Sequence, residues 1–245
     1  MKENKTGAKV VGAGMAGAAA LSAYLFVIRP WHLRWGATDE ETRMTLPGDE
    51  VTGDADYQVT HAVTVNAPAD AIWPWLAQVG QGRGGFYSYS WLENLFGLRI
   101  RNADRVMPEF QHPEVGDFIR AAPPDWLGGR YAEYAGWHVV VLEPERAMVL
   151  RPHPDVEDNT WAFVLKPVDG GKTRLIARAR GKRKPSLSAS LFNFFVGEPA
   201  HFIMERKMLL GIKRRVEGER AGSLGWGGNR LPLSLKDANP SRDKS

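Results

Sequence analysis

The sequence predicts an α+β fold in which a curved antiparallel sheet wraps around a long C-terminal helix, preceded by a single N-terminal helix of transmembrane type. Three observations predict it. Residues 10–28 contain no charged side chain. The middle of the chain holds several short segments in which apolar and polar residues alternate, which is the period of β-strands. The last third contains one long and strongly apolar helical segment.

The composition is that of a folded chain with one domain and short additional segments. The sequence has 245 residues, of which 43% are hydrophobic and 24% are charged, with a formal net charge of +4. These values exclude a disordered chain and a polytopic membrane protein. The chain has no Cys, which excludes disulfides, thiolate metal sites and cysteine nucleophiles.

Residues 10–29, after a short tail at 1–9, are predicted to form a transmembrane anchor. A bilayer core requires about 20 mostly apolar helical residues. The alternatives are a cleaved signal peptide, which the following Arg29-Pro-Trp-His-Leu-Arg-Trp35 disfavours, and a buried N-terminal helix. The prediction places the protein in a membrane as a single-pass protein. The side is left open, because basic residues flank the segment almost evenly.

A glycine motif inside this segment resembles a dinucleotide-binding pattern. Gly12-Ala-Gly14-Met-Ala-Gly17 matches GxGxxG. That pattern functions between a buried strand and a helix, with a second strand ending in an acidic residue further on. Only two valines precede the motif, and residues 30–35 are not a convincing buried strand. We therefore expect no cofactor.

Two polar segments flank the predicted domain. Residues 30–56 are predicted to be an acidic linker, with seven acidic residues and one Arg between 36 and 56. As a flexible coil of about 20 residues it would span roughly 25 Å. That length would hold a domain away from a membrane surface. Residues 221–245, rich in Gly, Pro and polar side chains, are predicted to be a flexible tail.

The domain itself is predicted at residues 57–220. Residues 57–65 alternate as a half-buried strand, and a helix follows from about Asn66. Further strands are predicted at 118–120, 137–143, 147–151, 159–166 and 173–180, with a hairpin turn at Asp169-Gly-Gly171. The chain then forms a long helix from about Ser186 to about Glu219, with a bend near Gly197.

Several short motifs of this domain match a known superfamily. They are Asn66-Ala-Pro68, Trp73-Pro-Trp-Leu76, Gly80-Gln-Gly-Arg-Gly-Gly-Phe-Tyr-Ser-Tyr89, Trp91-Leu-Glu-Asn94, Ala103-Asp-Arg105, Val115-Gly-Asp117, Thr160-Trp-Ala-Phe163 and Glu198-Pro-Ala-His-Phe-Ile-Met-Glu-Arg206. Together they resemble the START-like, or SRPBCC, superfamily, and most closely its prokaryotic polyketide-cyclase-like proteins. The resemblance implies a helix-grip fold with a cavity between sheet and helix. It carries over no catalytic residues, because the superfamily uses one cavity for unrelated tasks.

Candidate site residues are predicted first on the long helix. His201 and Glu205 are four residues apart and share a helical face with Phe194, Glu198 and Met208. If this face lines the cavity, the pair forms a polar patch in an apolar channel, where it would orient a ligand or transfer a proton. The alternative is a surface pair worth a few tenths of a kcal/mol. His201 and Glu205 are the candidates for catalysis.

The other predicted ligand-binding residues lie in the glycine-rich loop and on the strands. Arg83, between four glycines, is predicted to pair with an acidic residue of the helix or with an anionic ligand, or else to be solvated. The remaining candidates are aromatic: Tyr87, Tyr89, Trp91, Trp137 and Trp161. Alternation along the strands leaves open which of them face the cavity.

No metal site is predicted, because the acidic and histidine groups near His112 and His153 lack metal-site spacing. A basic cluster joins the last strand to the long helix and includes Arg180, Lys182, Arg183 and Lys184. Nucleic acid is not expected, since neither interleaved aromatics nor a known reader motif accompanies these residues. The cluster is either a solvated charge run or a contact for anionic lipid headgroups.

The function favoured by these observations is binding of a hydrophobic small molecule or lipid, with possible transfer or shielding, in an internal cavity of a membrane-anchored domain. One alternative is a polyketide-cyclase-like enzyme, or another lyase or hydrolase, that uses His201, Glu205 and either Arg83 or Tyr87. A second alternative is a protein-interaction module without a cavity. A non-enzymatic binding protein is favoured, and the identity of the ligand is left open.

Overall fold

A computed structural model describes residues 4–156, 158–182 and 186–225. In this part of the chain six strands form one antiparallel sheet in the order β1-β6-β5-β4-β3-β2. The strands are β1 Tyr57–Val65, β2 Phe118–Arg120, β3 Gly136–Glu143, β4 Ala147–Pro152, β5 Asn159–Val168 and β6 Lys172–Gly181. Strands β2 to β6 form a meander, and β1 pairs with β6 along nine residues. The sheet and the α+β class are therefore as predicted.

The helices lie before, between and after these strands. They are α1 Asn4–Ala23, α2 Arg29–Leu33, α3 Asp39–Arg43, α4 Asp49–Thr52, α5 Ala69–Ala77, α6 Ser90–Leu95, α7 Leu187–Phe192 and α8 Glu198–Gly225. Wider helical turns join α1 to α2 at Tyr24–Ile28 and α7 to α8 at Asn193–Gly197. Short 3₁₀ turns lie at Pro108–Phe110 and Trp126–Gly129.

The predicted bend in the C-terminal helix coincides with the wide turn between α7 and α8. Pro199 follows this turn and has no N–H to donate to the carbonyl of Phe195, so the regular hydrogen-bond ladder is interrupted there. Beyond the bend, α8 places Met208, Leu209 and Ile212 in the core between the sheet and α5. The C-terminal half of the helix is therefore the part that the sheet grips most closely.

The segment at 38–56 covers the outer face of the sheet. Leu46 is buried there against Ala62 and Ile176. Two ion pairs tie the segment to β6: Glu41 with Arg174 and Asp49 with Arg178, each at 2.6 Å. The expectation of a flexible coil is corrected, because these acidic residues face arginines that point outward at alternate positions of β6.

The structure of the N-terminal helices differs from the predicted membrane anchor. Within the described residues, no helix combines the length and the apolar character needed to cross a membrane. The predicted transmembrane anchor at 10–29 and the membrane localisation are therefore wrong. The physical reason is composition, since Gly and Ala dominate α1 and contribute little apolar surface. The predicted tail at 221–245 falls, beyond Gly225, outside the described residues.

The end of this N-terminal helical segment packs against the C-terminal one. The Tyr24 hydroxyl donates a hydrogen bond to the main-chain oxygen of Phe194 at 2.8 Å. Arg29 forms a bidentate pair with Glu198 at 2.8 and 2.9 Å. The second half of the predicted anchor thus contacts the junction between α7 and α8.

Candidate functional site

A cavity of about 960 Å³ lies between the inner face of the sheet and the helical segment α7–α8. Most of its lining is aromatic or aliphatic. The apolar lining includes Val59, Phe86, Leu98, Ile100, Trp137, Val156, Trp161, Ala179, Leu191, Phe192, Phe194, Met204 and Met208. The polar lining is smaller and includes Ser88, Glu93, Asp158, Lys182, Glu198, His201 and Glu205.

Strand register explains the floor of the cavity. Val59 of β1 pairs with Ala179 of β6, which pairs with Trp161 of β5, so these three residues form one row across the sheet. Residues in one row point to the same face. All three line the cavity. Because Ala179 is small, the centre of this row leaves open space.

Three aromatic rings form one wall. The Trp137 and Trp161 ring centres are 5.2 Å apart, and Phe86 lies 6.0 Å from Trp137 and 6.4 Å from Trp161. These are separations at which aromatic rings stabilise one another. The three rings therefore form one continuous aromatic wall.

Glu205 forms a polar centre on the helix side of the cavity. It is 2% exposed. Its oxygens accept hydrogen bonds from Trp161 Nε1 and from His61, and His201 Nε2 lies 3.4 Å from its Oε1. Burial alone would raise the pKa of Glu205, but the charges and hydrogen bonds of His201 and His61 outweigh it and hold the pKa well below its usual range. Glu205 is therefore a carboxylate.

His61 connects this carboxylate to the N-terminal helices. Its Nδ1 faces Glu205, and its Nε2 lies 2.6 Å from the main-chain oxygen of His32. A carbonyl oxygen and a carboxylate oxygen both accept hydrogen bonds, so His61 donates from both ring nitrogens when Glu205 is ionised. The two side chains then form a buried and hydrogen-bonded ion pair.

Glu93 is a second buried carboxyl group in the lining. It lies on α6 and is 7% exposed. In contrast to Glu205, its Oε2 has no hydrogen-bond partner among the described residues. Burial raises the pKa of Glu93 to about 7.

Seven of the predicted ligand-binding residues line the cavity, and four lie elsewhere. Trp137, Trp161, Phe194, Glu198, His201, Glu205 and Met208 are in the lining. His201 and Glu205 lie together at the cavity, as the sequence predicted, although the Glu205 carboxylate is shared with His61 and Trp161. A role for these seven residues in binding or catalysis stays a prediction.

The four remaining candidates have other partners. Arg83 donates to the main-chain oxygens of Ala77 and Phe110 and lies over the Phe110 ring. The buried Tyr87 donates to Trp75 O. Tyr89 packs under the ammonium group of Lys207.

Trp91 is 69% exposed. The expected pairing of Arg83 with Glu205 or Glu198 is absent from the described residues, because the glycine-rich loop turns its guanidinium toward backbone carbonyls. None of these four residues lines the cavity: Arg83, Tyr87 and Tyr89 contact other parts of the fold, and Trp91 faces solvent.

Sequence analysis did not identify His61, His32 or Glu93. His61 is on the predicted inner face of β1, with Val59 and Val63, and a histidine between two apolar residues of a buried face was the available signal. Glu93 gave no such signal, because one acidic residue in a short helix is ordinary. Within the described residues, no group of three or more potential metal ligands is placed to hold a metal ion.

The basic cluster after β6 is only partly described. Arg180 donates to the main-chain oxygen of Gly53 at 2.8 Å and to the side chain of Gln58. Lys182 is exposed at the rim of the cavity. Arg183 and Lys184 lie outside the described residues. Contact of this cluster with anionic lipid headgroups stays a prediction.

Comparison with known proteins finds solved structures that share little sequence with this chain. No family model matches the chain, and no curated protein matches it. Among solved structures, the Polyketide_cyc-like protein Cgl2372 from Corynebacterium glutamicum is 15% identical, with 71% of this chain and 97% of that chain covered and a TM-score of 0.34. The self-sacrificing resistance protein CalC from Micromonospora echinospora is 14% identical, with 67% and 96% covered and a TM-score of 0.41.

The chain has the helix-grip fold. The strand order and the long C-terminal helix carry this conclusion, in agreement with the START-like resemblance of the sequence motifs. The two solved structures transfer no activity to this chain, because one fold serves many unrelated functions.

Proposed function

We propose that this protein binds a hydrophobic small molecule in the cavity between the sheet and the C-terminal helix. The cavity itself carries the proposal. Its volume of about 960 Å³ lies in the range of ligand sites, about 300–1,000 Å³, and an apolar lining with a few placed polar groups is typical of them. Protein interiors are otherwise closely packed, so an open space of this size favours a ligand. The alternative, a protein-interaction module without a cavity, is not favoured, because a cavity is present.

The distribution of polar groups narrows the ligand class. The aromatic wall and the Val59–Ala179–Trp161 row are apolar, whereas His201 with Glu205, and Glu93, provide separate polar positions. A ligand that fits this lining has a large apolar body and few polar groups. Lipids are one class of such molecules.

Fluorescence of the neutral dye Nile red tests the proposal. We expect the dye to bind the wild-type chain, and Ala179→Phe to weaken the binding at least about tenfold, which corresponds to 1.4 kcal/mol. The phenyl ring would occupy the centre of the cavity floor. Lys172→Phe is the matched control, because Lys172 is an exposed residue on the same strand.

Equal binding by wild type and Ala179→Phe would contradict the proposal, as would a wild-type chain that does not bind the dye. Mass spectrometry of an organic extract of the chain purified from its own host then identifies what occupies the cavity. A lipid in the extract and a non-lipid metabolite are both consistent with the proposal, and they assign the ligand to different classes.

One observation favours a second candidate function, a lyase or hydrolase. His201 lines the cavity, and its Nε2 lies 3.4 Å from Oε1 of Glu205. A carboxylate beside an imidazole at a cavity wall is suited to general acid–base chemistry. Hydrolysis of p-nitrophenyl hexanoate tests this function. We expect His201→Gln to slow catalysed hydrolysis about a hundredfold, and equal rates would contradict a catalytic role for His201.

A further inference from the structure

In the part of the chain that the structure describes, Glu93 differs from the other acidic residues of the cavity lining in having no positive partner. Glu198 is paired with Arg29, Asp158 with Arg151 at 2.9 Å, and Glu205 with His61 and His201. Among the described residues, no ion pair reaches Glu93, and its Oε2 has no hydrogen-bond partner. The cavity thus holds one carboxyl group whose interactions are incomplete.

Because Glu93 is buried, leaving its carboxylate without a partner is energetically unfavourable. Glu93 as a residue is 7% exposed, and the lining residues that follow it on the chain, Leu98 and Ile100, are apolar. A buried ionised carboxylate without a partner is strongly disfavoured, which is why its pKa is raised to about 7. A cationic group in the cavity would remove this penalty and restore the charged form.

Among the described residues, no cationic group of the protein fills this role. Lys182 is exposed at the rim, where its ammonium group is hydrated. Arg29 and Arg151 are already engaged with their own carboxylates, and His201 faces Glu205. The missing partner of Glu93 is therefore expected from the ligand.

We propose that the cavity accepts a hydrophobic amine, an apolar molecule with one protonated nitrogen that pairs with the Glu93 carboxylate. This inference rests on the proposed binding function and adds the chemical class of the ligand. A charge-assisted hydrogen bond between an ammonium group and a carboxylate is about twice as strong as a neutral one. A ligand carboxylate would instead meet a like charge in a medium of low dielectric constant.

Three anthracene derivatives with one skeleton test the proposal at about pH 8, where the amine is charged and Glu93 is mostly ionised. They are 9-(aminomethyl)anthracene, 9-anthracenemethanol and 9-anthracenecarboxylate, and each is measured by displacement of Nile red. We expect the wild-type chain to bind the amine at least about tenfold more tightly than the alcohol, and the carboxylate most weakly. Glu93→Gln should bind amine and alcohol equally.

Glu109→Gln is the control, because Glu109 is exposed and lies outside the cavity lining. This variant should keep the preference for the amine. The proposal is overturned if Glu93→Gln keeps the preference, or if the wild-type chain binds the carboxylate as tightly as the amine. Those results leave the binding function intact as long as Nile red binds and Ala179→Phe weakens it. Absence of Nile red binding overturns both proposals.

Discussion

Glu205 and Glu93 are two buried carboxyl groups of one cavity, and their surroundings differ in almost every respect. Glu205 has Trp161, His61 and His201 around its oxygens, and these partners hold its pKa well below the usual range. Glu93 has an oxygen without a partner, and burial raises its pKa to about 7. Burial alone therefore does not determine the charge of a cavity residue. The partners that the fold provides decide it.

The difference separates two roles within the site. The protein completes the interactions of Glu205 by itself, so this residue fixes the geometry of His61, Trp161 and His201. Glu93 is left for the ligand to complete. A pair of acidic groups with pKa values shifted apart is often found where a site divides its tasks between them.

The largest effect is expected for Glu205→Ala. It removes the common acceptor of Trp161 and His61 and leaves the buried His61 and the half-buried Trp161 with unsatisfied donors. Breaking a buried ion pair in this way destabilises a protein by about 3–5 kcal/mol. Urea unfolding of wild type and variant near pH 7 measures the loss.

Glu205→Gln is the matched control for this loss. Its amide oxygen can accept from Trp161, and its NH₂ group can donate to Nδ1 of a neutral His61, whose Nε2–H still donates to the His32 carbonyl. We therefore expect a smaller loss than for Glu205→Ala. Equal losses would mean that the charge of Glu205, and not its hydrogen bonding, stabilises this side of the cavity.

An effect of opposite sign is expected for Glu93→Gln. The folded-state pKa of about 7 lies above the unfolded value of 4.5, so the folded chain holds this proton more tightly. Its contribution to stability is present at low pH and is lost as pH rises from about 4.5 to 7. Since one pKa unit corresponds to 1.36 kcal/mol, the variant should be about 3 kcal/mol more stable than wild type near pH 8.

Near pH 5 the two chains should have nearly the same stability, because Gln resembles the protonated acid. Chemical unfolding at both pH values measures the difference. The difference in unfolding free energy between wild type and variant is taken at each pH, so that contributions from histidines present in both proteins cancel. A variant that is less stable than wild type near pH 8 would show that Glu93 has a stabilising partner.

The smallest effect is expected for Glu198→Gln. The Arg29–Glu198 pair is bidentate but partly exposed, with 20% and 11% of the two side chains accessible. Such pairs are usually worth less than about 1 kcal/mol. Urea unfolding at low and high salt tests this, and the small loss should decrease further in salt. A loss as large as that of Glu205→Ala would mean that this contact holds the N-terminal helices in place.

The sequence predicts those parts of the molecule that depend on local pattern. Alternation located β1, β5 and β6, and turn signals with short apolar runs located β2, β3 and β4. The four-residue spacing of His201 and Glu205 placed them together at the cavity. The contacts of His61 were not predictable in this way, since its partners are His32 and Glu205, which are 29 and 144 residues away. Burial of Glu93 depends on how α6 packs, which its six residues do not encode by themselves.

The two failed expectations at the N-terminus have related causes. The length and the absence of charge at residues 10–28 predict a membrane span, but crossing a membrane also requires apolar surface, which Gly and Ala do not supply. The polarity of residues 36–56 predicts a flexible linker. Its acidic residues are opposite Arg174 and Arg178, and this pairing appears only when the sheet is assembled.

The covering of the outer sheet face has a practical consequence for shortened versions of the protein. Arg178 is 1% exposed, and its guanidinium donates to Met44 O, Glu41 O and Asp49. A fragment that begins at Tyr57, the domain boundary drawn from the sequence, would lack all three acceptors and the His32 carbonyl that His61 uses. A fragment intended for crystallisation or ligand screening should therefore begin before Tyr24.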